Sequence, residues 1–319
     1  MHNSVVQTAV IVRHMKNSLL RQGDHQMYSE LLHVIGYAWK DNRVFLEVQN
    51  LTSNASTSFI PIEDTFIFRK TQQQRCVGWV DFENKERQPC PDMASVKQCD
   101  SCKQREGFLP CVICNGFDCP PLKPSVEAYC QRPHSLYLAC FGSDRVKVGT
   151  ASEGRKYTRL HEQGPLAAMF IAKASGPLIK QMEATVSRMG YTEAMRRTTK
   201  QRLLTSGMTE LEAKHHLTNS FEDIVSHIPA QYEMYLHEPE HVTIPPLALA
   251  ARQFNDLDVL KPEVNQILGG TVVAASGSIV VFQDNVGAMT LDLATLRSWV
   301  IEINPDGQPA KRTKQLSLF

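Results

Sequence analysis

Net charge is the first thing this chain lacks. Its 34 Lys and Arg against 33 Asp and Glu leave only +1 at pH 7. No global field draws it to nucleic acid or to an anionic surface, so any such contact must come from local clustering of cations. Long apolar runs are also missing: none approaches the roughly 18 residues of a spanning helix. The opening Met1-His-Asn-Ser-Val-Val-Gln-Thr has no basic region followed by an apolar core, so it does not read as a secretory signal. A cytoplasmic, reducing setting is the expectation, in which Asn50-Leu-Thr and Asn54-Ala-Ser are not glycosylation acceptors. What remains is ordinary: 319 residues, 42% hydrophobic and 21% charged, enough for two or three globular domains.

Cysteine is scarce everywhere except in one window. Of the nine in the chain, only Cys76 and Cys140 fall outside residues 90–130. These two lie in apolar, strand-like runs and read as buried hydrophobes. Inside the window, Cys99-Asp-Ser-Cys102 is followed after eight residues by Cys111-Val-Ile-Cys114. Paired Cys-x-x-Cys units supply four thiolates to a tetrahedral zinc ion, and Gly107 and Pro110 suit a tight turn between them. Cys119 and Cys130, completed by Cys90 or His134, have the chemistry for a second ion. Disulfides are the competing reading, weakened by the reducing setting. Either zinc would be structural, since an all-thiolate shell leaves no open position.

Both ends of the chain read as β. Short apolar runs at Val5–Val12, Leu31–Tyr37, Val44–Val48 and Thr65–Phe68 are separated by polar turns, including the stretch 52–58. Strand-like runs return after residue 240, with two around Ser276-Gly277. The expected division is 1–88 β-rich, 89–132 zinc module, 133–235 a central α/β domain, 236–303 β-rich and able to pack with 1–88, and 304–319 a flexible tail. The class is α+β.

The central stretch carries the chemistry. His134–Ala139 and Val146–Gly149 read as a hairpin, Arg155–Gln163 as a helix ended by Gly164-Pro165, and Ala167–Ala172 as a third strand. A helix follows, capped by Ser175, whose stripe is Leu178, Ile179, Met182, Val186 and Met189. Glu183 points along that stripe, where an acid must pair with a cation or hold a metal. Arg188, Arg196, Arg197, Lys200 and Arg202 then crowd into fifteen residues beside Tyr191; such a run is either a solvated face or a set of phosphate contacts. Met208–Val225 reads as a further amphipathic helix.

This order of a strand with Tyr, a strand ending in Gly, a helix with Arg and a helix with Glu resembles the GIY-YIG nuclease superfamily. Leu136-Tyr137-Leu138 and Lys147-Val148-Gly149 stand at its two signature triplets, Arg159 at its helical arginine, and Glu183 at its metal-binding glutamate. The wording Cys130, His134, Tyr137-Leu138-Ala139, Lys147-Val148-Gly149, Thr158-Arg159 and Gln163-Gly164 is similar to a cysteine-rich branch of that superfamily whose function is not assigned. The resemblance implies a GIY-YIG-like core and a divalent ion, Mg²⁺ or Mn²⁺, on Glu183. It further implies that Arg159 neutralises developing charge and Tyr137 orients or deprotonates the attacking water. Lys147 replaces the second signature tyrosine, and Gln163 stands where active nucleases place His or Tyr.

The chain ends Gln315-Leu316-Ser317-Leu318-Phe319 after a polar, basic linker. This pentapeptide resembles the motif by which polymerases and repair proteins dock on the bacterial sliding clamp, with Leu316, Leu318 and Phe319 entering an apolar cleft and Gln315 at its rim. Two readings result. One is a clamp-tethered, structure-directed DNA endonuclease or repair factor. The other is a non-catalytic, zinc-containing nucleic-acid-binding adaptor on the replication clamp. Both place the protein at branched, nicked or single-stranded DNA, nucleoid-associated in the cytoplasm.

Overall fold

The computed structural model describes residues 30–51, 57–84, 86–284, 286–306 and residue 309. The strand expected at Val5–Val12 and the pentapeptide Gln315–Phe319 lie outside these residues.

The chain opens as a meander: β1 (Glu30–Lys40), β2 (Arg43–Asn50), β3 (Thr57–Pro61) and β4 (Thr65–Gln74). The β1–β2 connection is Asp41-Asn42, both at positive φ, 47° and 62°. That backbone matches the twist of a tight hairpin, and Asp and Asn tolerate it. β3 lies partly in the stretch read as a polar turn. As an outer strand it needs only one partner, and Phe45↔Pro61 to Gln49↔Thr57 supply it.

A small module comes next: β5 (Trp79–Asp81) and β6 (Glu86–Gln88), then α1 (Asp100–Glu106), α2 (Leu109–Ile113) and α3 (Pro124–Cys130). Its apolar core is small: Phe82 stacked on Phe108 at 5.1 Å with Tyr129 beside both, and Val126 of α3 buried. So small a core needs other fastenings.

The central domain follows as β7 (Pro133–Cys140), β8 (Lys147–Ser152), α4 (Lys156–Gln163), β9 (Ala167–Ser175) and α5 (Gly176–Arg188). It continues through α6 (Arg197–Arg202), α7 (Glu210–His227), α8 (Ala230–Glu233) and β10 (Leu236–His241). Thr209 and Glu212 close a capping box on α7, which satisfies orphan donors at its first turn. The four strands form one antiparallel sheet in the order β10-β9-β7-β8. Alternation along β7 sorts its residues onto two faces. Leu136, Leu138 and Cys140 pack with Ile179, Met182 and Val186 of α5 and Ala213 and Leu217 of α7. Tyr137, Ala139 and Phe141 pack on the other face with Leu160 of α4.

The chain then passes through α9 (Pro246–Ala250) to β11 (Asp258–Val259), β12 (Ile267–Ser276), β13 (Ile279–Gln283), β14 (Ala288–Asp292) and β15 (Trp299–Ile303). These strands join the first four in a nine-stranded sheet, β11-β14-β13-β12-β4-β15-β1-β2-β3. β4 is paired to β12 on one side and β15 on the other. The two β ends of the sequence are therefore one sheet over one core, with Leu46, Phe68, Phe282 and Leu291 all buried in it. The fold is α+β.

The two sheets meet where α4 ends. The Tyr37 hydroxyl donates to the Glu162 carbonyl at 3.0 Å. Trp39 Nε1 donates to the Gly277 carbonyl at 2.8 Å in the β12–β13 turn. Gly164 ends α4 in the left-handed region (φ 68°, ψ 48°), with its N–H on the Leu160 and His161 carbonyls. A Cβ there would lie 2.5 Å from the Gly277 nitrogen. Backbone conformation and close approach both demand glycine at this joint. Gly164→Ala is expected to destabilise the chain by at least about 2 kcal/mol, from left-handed strain plus displaced backbone. Urea unfolding measures it, and a loss under about 0.5 kcal/mol would show that the joint yields freely.

Candidate functional site

Two constellations stand out: a thiol cluster in the small module, and a cation-lined cleft at the meeting of the sheets. In the first, the sulfurs of Cys76, Cys90, Cys99 and Cys102 all lie within 4.8 Å of one another. Cys76 follows β4, Cys90 follows β6, and Cys99 caps α1 with Cys102 in its first turn. The Cys90 and Cys99 sulfurs are 3.7 Å apart. A ZnS₄ tetrahedron with bonds of about 2.3 Å has edges of roughly 3.8 Å, so the spacing suits zinc. The Cys99 N–H donates to the Cys76 sulfur at 3.2 Å. Burial raises the Cys90 thiol, but N–H donors from Ala94 and Asp92, with the neighbouring thiols, outweigh it and bring it down to about 7. Cys102 is wholly buried, and that burial pushes its thiol up. Four such donors could bind a structural metal such as zinc.

This donor set corrects the expected pairing. Cys99 and Cys102 gather with Cys76 and Cys90, not with Cys111 and Cys114. Cys76, read as a buried hydrophobe, is one of the four. The physical reason is α1, which intervenes between the two Cys-x-x-Cys units and points Cys102 back toward the end of β4. Cys90 is therefore not a partner of Cys119 and Cys130. His134 Nδ1 meets the Arg132 carbonyl at 2.8 Å, and its ring abuts Tyr129 edge-on. Cys140 is buried beside the Met208 sulfur at 3.6 Å.

The second constellation starts from the β7–β8 pair. Tyr137 faces Gly149 across it, and both are on the α4 side of the sheet. A Cβ at Gly149 would collide with the Tyr137 ring and crowd the Lys147 ammonium, so glycine clears the space that the phenol occupies. Lys147 Nζ donates to the Tyr137 hydroxyl at 3.2 Å and to the Val148 carbonyl at 2.9 Å. Tyr137 is 1% exposed and Lys147 7%. Lys200 reaches in from α6, donating to the Gln163 carbonyl and Oε1 at 3.0 and 2.7 Å, above the Phe141 ring. Burial, then the charges of Lys147 and Arg159, lower its ammonium to about 7. Among the described residues, none of Lys147, Arg159 and Lys200 has a carboxylate within 4.0 Å. A cavity of about 220 Å³ opens here, lined by Lys200, Arg197, Glu162, Gln163, Tyr37 and Ser276; burial raises the Glu162 carboxyl.

The other expected site residues are disposed around or away from this cleft. Arg159, Arg196, Arg197 and Arg202 are exposed, and Arg197 pairs with Asp292 at 3.2 Å. Arg188 lies over the Phe117 ring, 5.3 Å from its centroid. Glu183 is 8% exposed and takes a 2.8 Å hydrogen bond from Lys180. Its helix, α5, covers the sheet face opposite the one to which Tyr137, Lys147 and Gly149 project. The fold thus brings Tyr137, Lys147, Lys200 and Arg159 into one neighbourhood and seats Glu183 behind the sheet.

Sequence reasoning overlooked Arg252. Its guanidinium is buried, with burial lowering it to about 10. It donates to the Phe141 and Leu203 carbonyls at 2.8 and 2.9 Å and to the Gly164 carbonyl at 3.1 Å. No motif announces such a residue, because all its partners are main-chain atoms from distant segments.

No curated protein and no solved structure matches the chain. A family described as "Protein of unknown function (DUF2797)" matches residues 68–301, which takes in every cysteine, the cation cleft and most of the large sheet. The match covers well over half of the 319 residues, and the chain belongs to that family.

Proposed function

We propose that the protein is a zinc-stabilised nucleic-acid-binding adaptor, brought to the replication clamp by Gln315–Phe319, with a GIY-YIG-like core that binds DNA without cutting it. The observation that carries this reading is the gathering of Lys147, Arg159 and Lys200 with no carboxylate within 4.0 Å among the described residues, and with Arg196 and Arg202 exposed near Lys200. A desolvated ammonium is stabilised by an incoming phosphate. Because the chain carries only +1 overall, this local patch is where a polyanion would settle.

The competing nuclease reading draws on the meeting of Tyr137, Lys147 and Gly149. It requires Glu183 to present Mg²⁺ or Mn²⁺ to a phosphate near Tyr137. The seating of Glu183 on the helix behind the sheet, with Lys180 already on its carboxylate, favours the adaptor.

Binding should depend on pH through Lys200. Its folded-state value near 7 lies below the ordinary lysine value of 10.5, so the ammonium is lost as pH rises through neutrality. Affinity for single-stranded or branched DNA is expected to rise about tenfold from pH 8 to pH 6, as the fraction protonated rises. Lys200→Arg should flatten that profile, since guanidinium stays charged. Stability has the opposite sign: the unfolded chain holds this proton more tightly, so the Lys200 contribution grows as pH climbs from about 7 toward 10.5. A pH-independent affinity in the wild type would remove Lys200 from the interface. The double variant Arg196→Ala/Arg202→Ala should lower the salt slope of binding by about 2.

Deleting residues 315–319 is expected to abolish clamp binding while leaving DNA affinity unchanged. The intact tail should bind at about micromolar strength, near −8 kcal/mol. Calorimetric titration of clamp with both proteins decides it, and equal heats would move the docking surface into the folded body.

A further inference from the structure

The first thiol set leaves four other cysteines of the same module unexplained: Cys111, Cys114, Cys119 and Cys130. We propose that these four form a second, separate zinc site that fastens the segment 111–130 to α5. The Cys114 and Cys119 sulfurs stand 3.8 Å apart, again the edge of a ZnS₄ tetrahedron, roughly 3.8 Å. Cys111 lies in α2 and Cys130 is the last residue of α3. The quartet is looser than the first, whose sulfurs all lie within 4.8 Å. A metal would draw its two pairs together.

The local backbone is built for a metal-bound thiolate. Gly116, two residues after Cys114, has φ +82°. This turns its N–H onto the Cys114 sulfur at 3.2 Å. Such a donor stabilises the ionised, ligating form of sulfur. The same glycine lets the turn lie directly on α5: a Cβ there would strike the Pro177 carbonyl and the Lys180 side chain. Gln181 Nε2 completes the junction by donating to the Gly116 carbonyl at 2.8 Å. Helix α2 adds little apolar packing, because its Leu109, Val112 and Ile113 are more than half exposed. A module with exposed apolar residues and eight gathered thiols is held by coordination rather than by a core. On binding, thiol protons pass to bulk buffer as the thiolates take the ion.

The test is metal content on the full chain, by elemental analysis and native mass spectrometry of protein purified without chelator. Two zinc ions per wild-type chain are expected. Cys119→Ser should retain one, and Cys140→Ser, which alters a thiol in neither set, should retain two. The wild-type count needs no variant to fold. A wild-type chain with one zinc and four freely titrating thiols overturns the proposal, as does a Cys119→Ser protein that keeps both ions. Iron or a disulfide in place of the second zinc overturns it equally.

Discussion

Cys102→Ser is expected to release zinc and to cost the chain about 5 kcal/mol or more of folding free energy. Structural zinc contributes on the order of 10–16 kcal/mol in small thiolate sites. Cys102 is the most buried of the first quartet, 0% exposed, so a hydroxyl there cannot be rescued by solvent. Serine is a weak ligand, and the remaining three thiols would meet a vacant corner in a module with little other core. For a chain of this length the loss corresponds to a melting-temperature drop of roughly 10–20 °C. Excess chelator on the wild type, which would also strip the second site proposed above, should produce a drop at least as large. Thermal unfolding with parallel metal analysis reads both. A variant that keeps its zinc and its melting temperature would show that these four thiols do not hold the ion.

Arg252→Met should be nearly as damaging, at about 3–5 kcal/mol, although it removes no ion pair. Methionine can fill the space of the aliphatic stem but donates nothing. The carbonyls of Phe141, Leu203 and Gly164 would then be left short of a donor in a buried setting, each at about 1–3 kcal/mol, partly relieved by the Ser276 hydroxyl that also reaches Gly164 at 3.1 Å. These carbonyls belong to the residue after β7, to the turn after α6 and to the residue that ends α4. The variant should therefore loosen the joint between the sheets, seen as raised amide exchange around 141–143, 163–165 and 276–278. Unfolding in urea within 1 kcal/mol of the wild type would mean that water replaces the guanidinium at no penalty.

Local elements were legible where chemistry is local. The 3.6-residue stripe of α5 runs through Ile179, Met182 and Val186, all fully buried, and Gly164 ends α4 at the expected residue. Two apolar runs joined by a Gly/Asp turn placed β7 and β8, and the hairpin at Asp41-Asn42 follows from two residues that accept positive φ. The thiol sets were not legible by nearest spacing. Cys76 is brought to Cys99 by the end of β4 and by pairing of Trp79 with Gln88, which no count of intervening residues encodes. Glu183 was placed on a buried helical face by periodicity, but which face of the sheet that helix covers depends on the crossover from β9. Lys200 read as one charge in a basic run, and only the approach of α6 to the Gln163 carbonyl turns it inward.

The central claim is binding without cleavage. Its most direct test incubates branched, nicked and single-stranded DNA with wild type and Glu183→Ala, with Mg²⁺ or Mn²⁺, and follows binding and product together. Both proteins are predicted to bind with comparable, salt-sensitive affinity and to leave every strand intact. Metal-dependent cutting by the wild type that disappears in Glu183→Ala would contradict the account and make this chain a nuclease.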